Sequence, residues 1–441
     1  MKYKWIRWIV VIAALLLLAE AAVFVVVVAR KTGAARPTTQ TQLATQQTLD
    51  ENIPEPEVKP EDNPDPVPTT VACRYCTVEI ELGTHICPYC EWDQTMDPAD
   101  LPVLIPCRKC GEEMDETLTI CPACEWDQSR DPAEKEVFTI TMVGDCTLAS
   151  DKSNYGGYHT FVGVVGDDYD YPFANVRPIF EADEFTIINL ECNLTDNAIY
   201  SNMYFSFRGP TAYTKIMSGS SVEMVSYSNN HIVDYGQTGY DETIAALEAD
   251  GLNYVERDSS TVYVTENGIT IGVYAGMFWG FDENDLVAEI TELNRTCDIV
   301  IASLHWGDEG KYRPTAEQER LGKLAIDSGA DIVYGHHPHV LQKIETYNDG
   351  IIYYSLGNFS FGGHTNPRDK DTVIVQQQIL RDSDGNVTLG EHILLPCCVS
   401  GKMDANTYQP TLYEEGTEEY DRVLSKLDGS FEGPDLVVKY D

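Results

Sequence analysis

Residues 331–340 read DIVYGHHPHV: a short apolar strand, a glycine, then three histidines and a proline. One hydrogen bond satisfies one buried imidazole. His336, His337 and His339 within four residues instead make the strand tip an opening that holds something. The segments on either side repeat the theme. Between residues 137 and 359 the runs VFTITMVG, FTIINLE, VEMVSYS, ITIGVYAG, CDIVIASLHWG, ADIVYG and GIIYYSLGNF are strand-like. Helical stretches lie between them, YDETIAALEAD and TAEQERLGKLAIDSG, and in the second Thr315 and Gln318 have capping-box spacing. Further on, DTVIVQQQILRDSDGNVTLGEHILL alternates as a hairpin around Asp384-Gly385. Apolar strands buried on both faces and interleaved with helices predict an α/β layered sandwich whose sites sit at strand ends.

Those strand ends carry groups that bind metal. Asp145 follows the first strand and Glu191 the second; Asn230 and His231 follow the third, with Asp234 close behind. His305 ends a later strand, and the GHHPH segment ends the next. Taken singly, an aspartate after a strand is a turn residue and a lone histidine a satisfied side chain. Five such ends in one domain converge in space. Carboxylate, carboxamide and imidazole together suit first-row divalent ions better than calcium or magnesium.

The charge balance narrows the partners. With 71 acidic residues against 30 basic and a formal net charge of −41, the chain has no means of replacing the counterions of a nucleic acid. It is equally unsuited to an anionic membrane surface, and suits solubility outside the cell.

The amino-terminal part differs in kind. Lys2, Lys4 and Arg7 precede an apolar run from Ile9 to Ala29, broken only by Glu20 and closed by Arg30, Lys31 and Arg36. At about 1.5 Å per residue the run crosses a hydrocarbon core of about 30 Å, whereas the apolar region of a cleaved signal is shorter. The expectation is a single-pass anchor over 1–36 with the remainder outside the cell. An acidic, proline-rich tether over 37–70 follows. Then comes a repeat with a period of 34 residues, CRYCTVEIELGTHICPYCEWDQ and CRKCGEEMDETLTICPACEWDQ. Its cysteine sets are Cys73, Cys76, Cys87, Cys90 and Cys107, Cys110, Cys121, Cys124. Paired C-x-x-C knuckles make a tetrahedral sulfur cage, so residues 71–134 read as tandem ribbons holding two structural zinc ions, with iron second; four disulfides are the alternative. Cys146, Cys192, Cys297, Cys397 and Cys398 lack such spacing and read as core residues.

The order GDCTLAS, NLECNLT, SNNHIVDYG, SLHWGDEGKY, GHHPHV and YYSLGNFSF resembles the poly-γ-glutamate capsule biosynthesis (CapA) family, and through it the calcineurin-like metallophosphoesterases. The resemblance covers roughly residues 137–365 and leaves out ribbons, tether and anchor. It implies an α/β/β/α sandwich over 135–400, with 401–441 as a carboxy-terminal extension. It also implies roles. Asp145 is a metal ligand and Glu191 the bridging carboxylate; Asn230, His305, His337 and His339 complete the set, and His231 donates a proton to the leaving group. His336 is left over and free to face solvent. Thr147 stands where the parent pattern has a histidine, and Glu191 where it has an aspartate. Asn358 shapes a turn, while Arg208 and Arg313 are candidate contacts to an anionic substrate.

The expected function is that of a membrane-anchored envelope enzyme. A manganese, iron or zinc centre would serve hydrolysis or transfer at a phosphoester or amide linkage of an envelope polymer. The competing expectation is a polymer-assembly or scaffolding protein whose metal is structural, with the ribbons docking a protein partner.

Overall fold

The computed structural model describes residues 69–95 and 103–437, apart from 75, 92, 132, 202, 203, 280 and 281. The anchor and the tether up to residue 68 lie outside these. Among the described residues no helix is long and apolar enough to cross a membrane. The chain divides into two compact units, Met1–Leu101 and Pro102–Asp441. The first ribbon belongs to the former, and the second ribbon belongs with the α/β domain.

Each ribbon pairs two short strands, Thr70–Ala72 with Glu79–Glu81 and Leu104–Pro106 with Glu113–Asp115. All eight cysteines are free thiols. Sulfur–sulfur distances are 3.7 Å for Cys73–Cys90, Cys76–Cys87 and Cys107–Cys124, and 3.8 Å for Cys110–Cys121. Four sulfurs placed tetrahedrally at ~2.3 Å from a zinc ion lie ~3.8 Å apart, whereas a disulfide needs ~2.05 Å. The spacing fits a metal and excludes the disulfide alternative. Gln94 and Gln128, 34 residues apart, each donate an amide N–H to the first cysteine of their own ribbon, at 3.1 and 3.2 Å. The duplication therefore extends to the hydrogen bonds around the sulfur.

The larger elements of the domain are, in chain order, β1 (Glu136–Thr147), β2 (Phe185–Leu190), β3 (Met224–Tyr227), α1 (Gly236–Ala249), β4 (Asn253–Glu256), β5 (Ser259–Val264), β6 (Thr270–Met277), α2 (Glu283–Thr296), β7 (Ile299–His305), α3 (Ala316–Asp327), β8 (Ile332–His336), β9 (Ile344–Tyr347), β10 (Gly350–Tyr353), β11 (Asn358–Phe361), β12 (Asp371–Arg381), β13 (Val387–Cys398) and α4 (Glu418–Leu427). One sheet runs β4-β3-β2-β1-β12-β13 and ends on the short strand Thr411–Leu412, with β11 paired to the far end of β1. The other runs β5-β6-β7-β8-β10-β9. Strands β1 to β4 are mutually parallel, as are β6, β7, β8 and β10. Each sheet therefore collects several strand ends along one edge.

Alternation explains the layers. In β7, Ile301 enters a core between the sheets, with Ile140, Met142, Ile187, Val273 and Ile332. Its neighbours Val300 and Ala302 face the other way, onto Leu286 and Ile290 of α2 and Leu321 of α3. The first sheet does likewise: Val143, Ile188 and Val225 pack under Leu247 of α1 and Phe161 and Phe180. Burying each such side chain is worth roughly 1.5–3 kcal/mol, and two-sided burial is why these strands read as continuous apolar runs. The outcome is four layers, helix, sheet, sheet and helix. Polar bonds cross the middle layer and set the sheets against one another: Tyr334 Oη donates to the Val143 carbonyl (2.5 Å), and the Ser226 and Ser303 hydroxyls meet at 2.7 Å.

The capping box at Thr315 and Gln318 is present, and β12–β13 form the expected hairpin. Helix α2 has no counterpart in the sequence reading, although Asp282 caps it by accepting from the Asn284 N–H. The chain beyond residue 400 is built into the domain. Tyr408 is fully buried, and α4 puts Val423 and Leu427 into the core between the sheets. Lys426 of α4 lies 3% exposed, 2.7 Å from both Asp369 and Asp371. The second ribbon rests on the turn of the hairpin, where Lys109 reaches Asp384 at 2.9 Å and the Ser383 carbonyl.

Candidate metal centre

The parallel strands deliver the polar residues to one place. Asp145 lies in β1 opposite Asn189 of β2, and His305 lies in β7 opposite His336 of β8. Close backbone approach makes this possible. Gly144 lies so near Gly357 that an added Cβ would sit 2.3 Å from its carbonyl oxygen, and Gly335 faces Tyr354 in the same way at 2.2 Å. Past β8 the backbone is strained: His337 and His339 have φ of 95° and 54°. Positive φ at a non-glycine residue costs on the order of 1–3 kcal/mol and is characteristic of positions where function holds a side chain in place.

Six of the residues expected as ligands meet. His305 Nε2 is 2.7 Å from Asn230 Oδ1, 3.1 Å from His337 Nδ1 and 3.6 Å from Glu191 Oε1. His339 Nδ1 is 3.2 Å from Asp145 Oδ2, and its Nε2 is 3.7 Å from Glu191 Oε1. Ligand atoms around a tetrahedral ion with bonds of ~2.1 Å lie ~3.4 Å apart, so these separations suit a cation. Two compact groups share Glu191: Glu191, His305 and His337, and Asp145, Glu191 and His339. Glu191 is 1% exposed, and neither carboxylate oxygen has a hydrogen-bond partner. A buried carboxylate left so costs several kcal/mol, which a cation offsets. The donor set therefore fits one or two divalent ions.

Protonation in the metal-free protein agrees. Burial keeps His305 well below the usual histidine range, and burial with the neighbouring His339 takes His337 down to about 3. Both imidazoles are thus neutral, the form that binds metal. Burial also lifts Glu191 well above the carboxylate range. For Asp145 burial acts upward too, but hydrogen bonds with His336 and His339 outweigh it and hold the carboxyl well below that range. His339 is raised to about 10: burial opposes its charge, and the facing Glu191 and Asp145 prevail. Without a metal, the His339 imidazolium is the positive charge between two carboxyl groups.

A second tier positions these ligands. His336 is not at the surface, as it was free to be in the sequence reading. It is 2% exposed, with Nδ1 3.1 Å from Asp145 Oδ1, because it continues the inward-facing stripe Ile332, Tyr334 of β8. Asn189 donates to the same Asp145 oxygen at 2.9 Å, and Asn229 donates to Asn189 at 3.0 Å. His231 Nδ1 meets Asp234 Oδ2 at 2.8 Å, and the Phe207 N–H donates to that oxygen at 2.7 Å. Asn358 does more than shape a turn, since its Oδ1 lies 3.0 Å from His339 Nδ1. Thr147 is buried with its hydroxyl unpartnered. Of these helpers, Asn189 carried the readable signal: an asparagine on the inward face of its strand, after Phe185 and Ile187.

A cavity of about 500 Å³ opens beside the cluster, walled by His231, His339, Asn358, Phe207 and Phe361 among others. Arg208 and Arg313 do not line it. The Arg208 guanidinium stacks 3.7 Å from the centre of the Tyr155 ring, and Arg313 donates to the Phe431 carbonyl at 3.1 Å. Arg368 lines the cavity instead.

Residues 139–363, which hold every ligand of this cluster, match the family described as bacterial capsule synthesis protein PGA_cap. The chain belongs to that family. Among PGA_cap relatives, the chain is 33% identical over 282 residues to the capsule biosynthesis protein CapA of Bacillus anthracis, covering 57% of this chain and 66% of that one. It is 30% identical over 241 residues to the PGA biosynthesis protein CapA of Bacillus subtilis, covering 49% and 63%. A probable polyglutamine synthesis accessory protein of Mycobacterium tuberculosis is 25% identical over 248 residues, covering 46% and 64%. This PGA_cap chain thus spans just under two thirds of the length of each of these three curated relatives.

Proposed function

We propose that this protein is a metal-dependent hydrolase or transferase of the calcineurin-like phosphoesterase type. It acts on a phosphoester or amide linkage of poly-γ-glutamate or another envelope polymer, and is anchored through its amino-terminal apolar segment with the domain outside the cell. The observation that carries this reading is Glu191, buried among imidazoles at the convergence of the strand ends with neither oxygen hydrogen-bonded. Glu191, Asn230, His305 and His337 would hold one ion, and Asp145, Glu191 and His339 a second. A divalent cation there supplies Lewis acidity, easing deprotonation of water and stabilising developing oxyanion charge. The protein's own groups do the rest. Asp234 Oδ2, 2.8 Å from His231 Nδ1, orients the ring, so that the imidazole facing the cavity is placed to protonate the leaving group, a role worth on the order of 10²-fold or more. Phe205, Phe207 and Phe361 keep water from the flank of the site.

Thr147 favours a second reading. One ion position has a protein ligand fewer than the parent pattern, which suits an assembly or scaffolding protein whose metal is structural. Elemental analysis of the full chain, wild type against His337→Ala/His339→Ala, tests the first reading. One or two equivalents of metal absent from the variant, while the ribbon metal persists, are expected. Equal metal in the two proteins would remove the histidine centre and leave the scaffold.

A further inference from the structure

Glu309 was not among the residues expected to act, yet it stands at the cluster. One of its carboxylate oxygens and a nitrogen from each of His337 and His339 all lie within 4.8 Å of one another. Of the two neighbouring acids in its loop, Asp308 is exposed, whereas Glu309 is half-buried and lines the cavity. The loop is pinned. The Gly310 N–H donates to the Pro338 carbonyl at 2.8 Å, and the Gly310 carbonyl accepts from the Leu436 N–H at 2.9 Å. Gly307 and Gly310 supply the φ of 83° and 74° that bring the loop round to face the histidines.

Without Glu309 the two ion positions are unequally supplied. Glu191, Asn230, His305 and His337 offer the first position four donors, whereas Asp145, Glu191 and His339 offer the second only three. Glu309 bears on the poorer position. Its negative charge is felt at Glu191 and at His339, two of the three donors there. It also comes from a direction the others leave open: Asp145 and Glu191 are buried at the strand ends, and Glu309 reaches in from the cavity. With it, the second position has three carboxylates and one imidazole. The first has one carboxylate, one carboxamide and two imidazoles. Carboxylate-rich sets suit manganese, and imidazole-rich sets suit zinc or iron.

We infer, building on the metal-dependent reading above, that Glu309 is the fourth protein ligand of the second ion and makes that position a manganese site. The ligand that Thr147 does not supply then comes from the cavity side. The shortfall that favours a scaffold is made up.

Manganese itself is the probe. Its binding to the full chain, with zinc kept in the ribbons, is followed by electron paramagnetic resonance in wild type and Glu309→Gln. Each titration is run at low salt and again in about 1 M potassium chloride, where exposed charges are screened beyond about 3 Å. The expected result is two equivalents in wild type. In the variant the first equivalent is unchanged, which is the internal check on folding, and the second binds at least about tenfold more weakly at both salt concentrations. Equal affinity for the second equivalent in the two proteins overturns the assignment and leaves the hydrolase reading standing. A deficit that disappears in high salt also overturns it, by reducing Glu309 to a charge that attracts the cation. So does loss of both equivalents in the variant, or a wild type that takes one equivalent alone. A wild type that holds no manganese, iron or zinc at the histidines defeats the underlying reading, and this one with it.

Discussion

The ribbons and the strand-end cluster are both places for metal, built in opposite ways. In each ribbon the four ligands come from one stretch of 18 residues, Cys73–Cys90 or Cys107–Cys124, and little else is buried: Cys73, Ile80 and Cys87 in the first, Cys107, Met114, Cys121 and Trp126 in the second. The strand-end cluster draws on residues 145 to 339, set in place by two sheets with a shared core. A ribbon has little core of its own to fold it without an ion; the domain has a large one.

The largest expected effect follows from that contrast. Structural zinc in units of this size is worth about 10–16 kcal/mol, so a strong chelator should abolish amide-exchange protection in both ribbons. The domain should keep its protection. If domain and ribbons lost protection together, the distinction would collapse.

Next is an interaction that belongs to the domain alone. Lys426 lies between Asp369 and Asp371, with Arg422 on the far side of Asp371 at 2.7 Å. Lys426→Met leaves two buried carboxylates short of their cation, and urea unfolding should show a loss of about 3–5 kcal/mol with the ribbons unaffected. The pH dependence has a definite sign. Burial pushes Asp371 up, but Arg422 and Lys426 overcome this and hold it below its ordinary value. Its contribution is therefore present above the unfolded carboxyl pKa of about 3.9 and is lost as pH falls through the lower folded value. Urea midpoints between pH 5 and pH 2 would reveal it, and the variant should show a shallower acid limb.

Glu191→Gln sharpens the contrast from the other side. Metal affinity at the strand ends should fall on the order of 100-fold, while the metal-free domain should melt no lower than wild type, because a buried carboxyl without a hydrogen bond has been removed. A cysteine-to-serine change in a ribbon should do the reverse, losing ion and fold together. The smallest effect concerns the link between the second ribbon and the hairpin. Asp384 is two-thirds exposed, so Lys109→Ala should cost no more than about 1 kcal/mol in thermal unfolding.

The same contrast explains what the sequence disclosed. Ribbon ligands are legible because spacing along the chain is the geometry. Asp145, Glu191, Asn230, His305 and His337 were legible for a weaker reason: each is polar and stands where an apolar run stops. His336 was left without a place because its neighbours drew attention to the loop, although period-two alternation from Ile332 through Tyr334 already turned it inward. Helix α2 passed unread because its acidic residues obscured the spacing of Leu286, Ile290 and Leu293. Glu309 had no local mark at all, since its position depends on a glycine-flanked loop held by the Pro338 carbonyl and the Leu436 N–H. Arg208 and Arg313 were plausible by charge, but aromatic stacking and a tail carbonyl hold them elsewhere.

Two walls of the cavity have different origins. The ligands and Glu309 fall within residues 139–363, but Arg368 and Leu436 lie beyond them. The ligand-bearing floor and part of the rim therefore come from different stretches of the chain. On the proposed reading, exchanging the rim residues Arg368 and Leu436 alone would alter what the cavity admits, whereas the rest of that segment, β12 beside β1 and α4 in the core between the sheets, holds up the strand that carries Asp145.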